Sequence, residues 1–197
     1  MQITNYQLQI RDGVRILQLA SADGTNRLTR ACVLELAAAI RDLAVTDPLI
    51  IAGNDKFFSA GADLREIAAL HAAEALDFAR MGQQLMNTIA EFPAPVCAAI
   101  HGYCMGGGLD LALACHYRVA APHAVFGHRG AALGLITGWG GTQRLPRLIG
   151  NARALQMFVA AEKVSAQQGL RIRLVDAVVE DPLAWAVRTL KQLAIGP

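Results

Sequence analysis

Charge is scarce in this chain, and what there is nearly cancels. Charged side chains make up 17% of the 197 residues, and 18 basic against 16 acidic ones leave a net charge of +2. The Lys and Arg residues are scattered, so there is no basic stripe on which nucleic acid could lie. Hydrophobic residues reach 54%. That excludes a disordered chain and predicts that another subunit covers part of the apolar surface. Cysteine is sparse too. Cys32, Cys97, Cys104 and Cys115 sit in apolar runs without CxxC spacing, which reads as buried free thiols in a reducing compartment and excludes a disulfide framework. The histidines show neither HxxxH nor His/Cys spacing, so no metal site is expected. No run is long enough to span a membrane, because Asp110 and the glycines interrupt the most apolar stretch. Met1–Asn5 lacks a charged leader with an apolar core, so no signal peptide is expected. Neither Gly106-Gly107-Gly108 nor Gly138-Trp139-Gly140-Gly141 supplies GxGxxG after a strand, which excludes a dinucleotide fingerprint. What remains is one cytoplasmic domain over residues 1–197, long enough for a substantial core.

Strand-like runs fall at Val14–Leu19, Pro48–Ala52, Val96–Ile100, Tyr117–Ala120, Ala124–Phe126 and Leu174–Val179. Pro48–Ala52 is wholly apolar, the pattern of a strand buried on both faces. Thr29 predicts an N-cap for a helix through Leu43, with Val33, Leu36, Ala37 and Ile40 on its apolar stripe. Asp63 predicts the cap of a short helix, with Glu66 completing a capping box, and Ser165 with Gln168 predicts another. Further helices are expected near Ala73–Ala90, Gly108–Cys115, Gly141–Leu148, Ala152–Ala161, Ala166–Arg171 and Leu183–Leu193.

Two stretches carry the chemistry: Lys56-Phe57-Phe58-Ser59-Ala60-Gly61-Ala62-Asp63-Leu64 and His101-Gly102-Tyr103-Cys104-Met105-Gly106-Gly107-Gly108-Leu109-Asp110-Leu111. Each follows an apolar strand-like run, passes through small residues and opens an amphipathic helix. The first N–H groups of a helix have no intrahelical partner, and the helix dipole adds partial positive charge there. Two such ends facing each other make a two-amide cradle for an oxyanion. Glycine and alanine let a substrate carbonyl approach the backbone closely.

With these loops, Thr25-Asn26-Arg27-Leu28-Thr29, Phe126-Gly127 and Gly138-Trp139-Gly140-Gly141-Thr142-Gln143-Arg144-Leu145-Pro146, the chain resembles the crotonase, or enoyl-CoA hydratase/isomerase, superfamily from about Val14 to about Val179. The resemblance implies an α/β fold built as a spiral of ββα units, with most of the usual C-terminal helical region missing before Pro197. It implies an acyl-CoA thioester as partner and substrate, with coenzyme A entering as part of the substrate and no separate cofactor. It further implies a homotrimer or hexamer. The thioester oxygen would be held by the backbone N–H groups of Ala62 and Gly107 while acidic side chains move protons. Asp110 matches the first catalytic glutamate of the hydratases. Contacts to the acyl-CoA carry over to Ala60, Gly61, Asp63, Leu64, Gly106, Gly130 and Trp139, and to Lys56, which matches a basic residue that meets CoA phosphates in relatives.

One position departs from the pattern. Gly130 stands where hydratases carry their second glutamate, so efficient hydration is not expected, since it needs a base for water and a proton donor on one face of the alkene. His128 and Arg129 are read as a solvated pair, and Arg27 as a surface charge. Gly130 and Arg173, which stands where relatives carry glycine, keep a second reading open: a catalytically impaired acyl-CoA-binding or assembly subunit. A third is chemistry like that of naphthoate synthase, with a bound anion as base.

Overall fold

The computed structural model describes residues 5–43 and 46–195. The expectations about Met1–Thr4 and about the end at Pro197 lie outside these residues. The chain runs β1 (Tyr6–Arg11), β2 (Val14–Leu19), β3 (Arg27–Leu28), α1 (Arg30–Asp42), β4 (Leu49–Ala52), β5 (Phe57–Ser59), β6 (Gly61–Ala62), α2 (Leu64–Ala69) and α3 (Ala72–Ala90). Then follow β7 (Val96–Ile100), β8 (Tyr103–Met105), α4 (Gly107–Ala114), β9 (Tyr117–Ala120), β10 (Val125–Gly127) and a 3-10 turn (Gly130–Leu133). The remainder is α5 (Gly141–Ile149), α6 (Asn151–Val159), β11 (Val164–Ser165), α7 (Ala166–Arg171), β12 (Ala177–Val178) and α8 (Pro182–Ile195).

Six strands form one sheet in the order β1-β2-β4-β7-β9-β12, four form a second in the order β11-β10-β8-β5, and β3 pairs with β6 alone. The strands β4, β7 and β9 lie parallel in the first sheet. The next strand of each, β5, β8 or β10, lies parallel in the second. Each turn of chain therefore lays one strand in each sheet before its helix, and this is the expected spiral of ββα units rather than one doubly wound sheet.

Hydrophobicity on both faces explains why β4 and β7 are central. Every residue of Leu49–Ala52 and Val96–Ile100 is buried. Leu49, Ile51, Val96 and Ala98 face the main core with Leu36 and Ile40 of α1 and Leu85 and Met86 of α3. Ile50, Ala52, Cys97 and Ala99 face the other way, against Ala186, Val187 and Leu190 of α8. Thr29 caps α1 as its sequence implies, its hydroxyl accepting from Cys32 N at 3.2 Å. Leu36 on the inward stripe is 1% exposed, so Leu36→Ala should cost about 2–5 kcal/mol. All eight residues of α4 are buried, including the lone charge Asp110, so this helix runs through the interior. Among the described residues no helix is long and apolar enough to cross a membrane.

Three local readings are corrected. Tyr6–Arg11, not anticipated as a strand, pairs antiparallel with β2 through a turn in which Asp12 and Gly13 both have positive φ (54° and 78°), the Asp-Gly hairpin chemistry. Tyr6, Leu8 and Ile10 alternate with Gln7, Gln9 and Arg11, a strand period that the sequence does carry, and as an edge strand β1 leaves most of both faces exposed. The strand expected over Leu174–Val179 shrinks to Ala177–Val178, because Leu174 N turns back to Gly169 O and Leu174 O accepts from the Arg118 guanidinium. At α2, Asp63 caps by accepting from Arg65 N at 2.8 Å, while Glu66 reaches across to Arg30 N at 2.7 Å. Glu66 thus ties α2 to the first turn of α1 instead of closing a capping box.

Candidate active site

The two small-residue loops meet. A side chain at Gly61 would come within 2.6 Å of Met105 O and 3.0 Å of Gly107 N, and one at Gly107 within 3.2 Å of Ala62 N. Gly61 and Gly106 adopt φ values of 93° and 51°, where a Cβ is disfavoured. The N-cap of α4 is Gly106, which offers no side chain to the helix amides, so no side chain caps the Gly107 end. The first loop is braced from behind. Asn26, buried at φ 50°, donates its amide to Phe57 O at 3.0 Å and to Phe58 O at 3.3 Å. The Ser59 hydroxyl donates to Asn26 O at 2.7 Å and accepts from Gly61 N at 3.1 Å. Ala62 and Gly107 both line a cavity of about 380 Å³.

Asp110 lies one helical turn beyond Gly107, lines the same cavity and has no exposed surface. Its Oδ2 accepts from the Thr137 hydroxyl, and the start of α5 at Gly141 lies beside the carboxyl and favours its charged form. Two helix starts, α4 and α5, thus favour the carboxylate, and Arg144 adds positive charge. Burial opposes them and wins, pushing the Asp110 pKa up to about 7. Oδ1 has no hydrogen-bond partner.

Facing Oδ1 at 3.4 Å is His128 Nε2, also buried and without a hydrogen-bond partner. Burial holds the His128 pKa down to about 4, so at neutral pH the contact joins a neutral imidazole to a carboxyl group rather than two full charges. The His128 ring packs on Phe158 of α6 at 5.0 Å between centroids. Gly141 keeps this corner open: a Cβ there would stand 2.1 Å from Asp110 Oδ1 and 3.0 Å from His128 Nε2.

Of the residues expected at the site, the structure gathers Ala60, Gly61, Ala62, Leu64, Gly106, Gly107, Asp110, Gly130 and Trp139 around the one cavity. Trp139 is 3% exposed. Its indole packs against Gly107 and Gly82, where a Cβ would meet the ring at 2.7 and 2.2 Å, and its Nε1 donates to Phe78 O at 3.3 Å. Two residues fall outside the lining. Lys56 is exposed in the loop before β5, and Asp63, buried as the α2 cap, pairs with Arg65, whose hydrogen bonds and charge hold its pKa down to about 2.

The reading of His128 as solvated is wrong, since it is 4% exposed and lines the cavity. Arg129 beside it is exposed, as expected. The chain leaves β10 at Gly127 and turns at Arg129 (φ -92°, ψ 12°) into the 3-10 segment, so no strand or helix period in the sequence marks His128 as inward. Thr137 was missed as well, and nothing in its local sequence distinguishes it. Arg27 bonds Asp23 at 2.6 Å on a half-exposed surface, which agrees with its reading as a surface charge. Among the described residues, no group of three or more His, Cys, Asp or Glu is placed to hold a metal ion.

The chain is 43% identical over 167 residues to a probable enoyl-CoA hydratase of Bacillus subtilis, covering 82% of this chain and 64% of that protein. It therefore spans slightly less than two thirds of that relative's length. It is 38% identical over 184 residues to crotonyl-CoA hydratase of Syntrophomonas wolfei, covering 91% of this chain and 71% of the relative. Its fold superposes on the solved structure of DspI from Pseudomonas aeruginosa with a TM-score of 0.93 and 32% identity, over 100% of this chain and 77% of that one. Residues 9–194 match the enoyl-CoA hydratase/isomerase family, and the chain belongs to that family, within the crotonase superfamily.

Proposed function

We propose that residues 1–197 form a single acyl-CoA-binding domain that holds a thioester oxygen between the amides of Ala62 and Gly107 while Asp110 moves a proton at the α-carbon. The observation that carries this reading is the meeting of the two loops. The absence of side chains at Gly61 and Gly107 leaves the Ala62 and Gly107 amide nitrogens close together, and the only carboxylate in α4 shares their cavity. Amides fixed by α4 and by the Asn26–Ser59 brace need little reorganisation as charge develops on the oxygen, and each such donor is worth roughly 10²–10³-fold in rate. A carboxyl group with a pKa near 7 has both protonation states available near neutral pH, which suits reversible transfer to and from carbon.

Leu64, Ile67, Phe78, Leu133 and Ile136 give the cavity apolar walls, which suit an acyl chain. Coenzyme A arrives with the substrate, and Lys56, on the surface, is assigned to its phosphates. Exposed Ile136, Leu155 and Val159 support assembly as a trimer or a dimer of trimers, which light scattering tests. The four buried free cysteines fit a reducing, cytoplasmic setting. Gly130 favours a second reading, in which the pocket binds acyl-CoA without turnover.

The decisive experiment pairs calorimetry with hydrogen exchange. Butyryl-CoA should bind and should exchange its α-protons in D₂O, and Asp110→Asn should bind but not exchange. No heat at millimolar thioester in a folded sample would refute the site. Binding without wild-type exchange would select the second reading.

A further inference from the structure

We infer that His128 is the second acid–base group of this site, the residue that activates water where the family position at Gly130 has no side chain. The inference rests on the oxyanion reading above and adds to it a residue and a reaction, addition of water to an enoyl thioester. Asp110 Oδ1 and His128 Nε2 are buried, face each other at 3.4 Å, and have no hydrogen-bond partner. A buried polar atom left unpaired lowers stability, and here two of them border a cavity large enough for substrate. Thr137 holds Oδ2 and leaves Oδ1 facing His128, Phe158 fixes the imidazole plane, and Gly141 clears the space between the two atoms. Nothing comparable supports a purely structural histidine, which would be expected to spend its ring nitrogens on hydrogen bonds.

The proton inventory closes. The site begins with Asp110 protonated and His128 neutral. A water O–H bond breaks as its proton passes to Nε2 and its oxygen bonds the β-carbon. The alkene pair moves toward the thioester, whose oxygen carries the charge between the Ala62 and Gly107 amides. As the enolate collapses, its α-carbon takes the Asp110 proton. His128 is then protonated and Asp110 ionised, and one proton crossing from Nε2 to Oδ1 restores both. Water is consumed, a 3-hydroxyacyl thioester is formed, and no other reactant is needed.

The test follows hydration of crotonyl-CoA and α-exchange of butyryl-CoA in parallel, on wild type, His128→Gln and His128→Ala. Wild type should perform both reactions. His128→Gln should lose about 10²–10⁴-fold in kcat for hydration, with KM little changed and α-exchange retained. Added imidazole should restore part of the hydration rate in His128→Ala. The titratable and charged groups facing Asp110 are His128, Arg144 of α5 and Cys104 of β8. Against that background, the wild-type hydration profile should have an acidic limb that His128→Gln removes. Wild type that exchanges but does not hydrate would overturn the inference and leave the oxyanion reading intact. A folded His128→Gln that hydrates like wild type, or that loses exchange and hydration equally, would overturn it too. Loss of exchange in wild type would count against the earlier reading instead.

Discussion

Replacing Asp110 with Asn should make the protein more stable in alkaline buffer and leave it little changed in acid. The carboxyl pKa moves from an ordinary 3.8 to about 7, with burial the largest cause. Below pH 3.8 the group is protonated whether the chain is folded or not, and it contributes no charge penalty. Between 3.8 and 7 the folded state keeps the proton that the unfolded state releases, so stability falls by about 1.4 kcal/mol per pH unit. Above 7 the buried carboxylate is ionised in both states, and the accumulated penalty levels off at about 4 kcal/mol. The asparagine side chain would fill the same space without that charge. The difference in unfolding free energy between variant and wild type should therefore grow by about 4 kcal/mol from pH 4 to pH 8, or roughly 10 °C in Tm for a chain of this length. His128, neutral in the folded protein down to about pH 4, titrates in both proteins and largely cancels in the difference. Thermal unfolding of both proteins at pH 4, 5.5 and 8 measures this. Parallel Tm curves across that range would refute the argument that the site carries an electrostatic burden in order to keep a carboxyl group in an apolar cavity.

Gly141→Ala would push a methyl group into Asp110 Oδ1 from 2.1 Å; a displacement on the order of 1 Å costs about a hundredfold, so α-exchange should fall by that factor in a protein that still binds thioester. Gly107→Ala would place its methyl 3.2 Å from Ala62 N and against the Trp139 ring, obstructing the oxyanion position. The kcat/KM should drop by about 10²–10³, as for loss of one donor, and wild-type kinetics would show that the oxygen sits elsewhere. Arg173 holds φ at 64°, a region that costs a side chain about 1–2 kcal/mol, so Arg173→Gly should raise Tm by a few degrees in a melting experiment.

The helices were legible because their signals are local. Thr29 before an apolar stripe and Ser165 with Gln168 each act within a turn or two of chain, and the structure places α1 and α7 where those signals put them. Arg173, expected to stand where the family pattern has glycine, holds a φ of 64°, the region glycine adopts most readily. The strands β3, β6 and β11 were not legible, since each is two residues long and exists only because a partner from a distant segment lies beside it. The same distinction divides the site. The loops around Gly61 and Gly107 announce themselves through small residues after apolar strands, and both line the cavity.

What the sequence could not display is the environment of Asp110. Its acidity is set first by burial and then by Thr137, Arg144 and Gly141, which stand 27 to 34 residues further along the chain. Each looks ordinary in its own segment. Gly141 reads as the first residue of a helix, and its importance lies in a Cβ it does not have, which would stand 2.1 Å from the carboxyl oxygen. Reading Gly130 alone predicts a missing proton carrier, because a motif is compared position by position. The cavity imposes no such alignment: any side chain that reaches the reacting atoms from the right face can serve, and His128, two residues earlier, reaches within 3.4 Å of Asp110. A substitution at a catalytic position is therefore weak grounds for lost activity until the neighbouring side chains that point into the same space have been located.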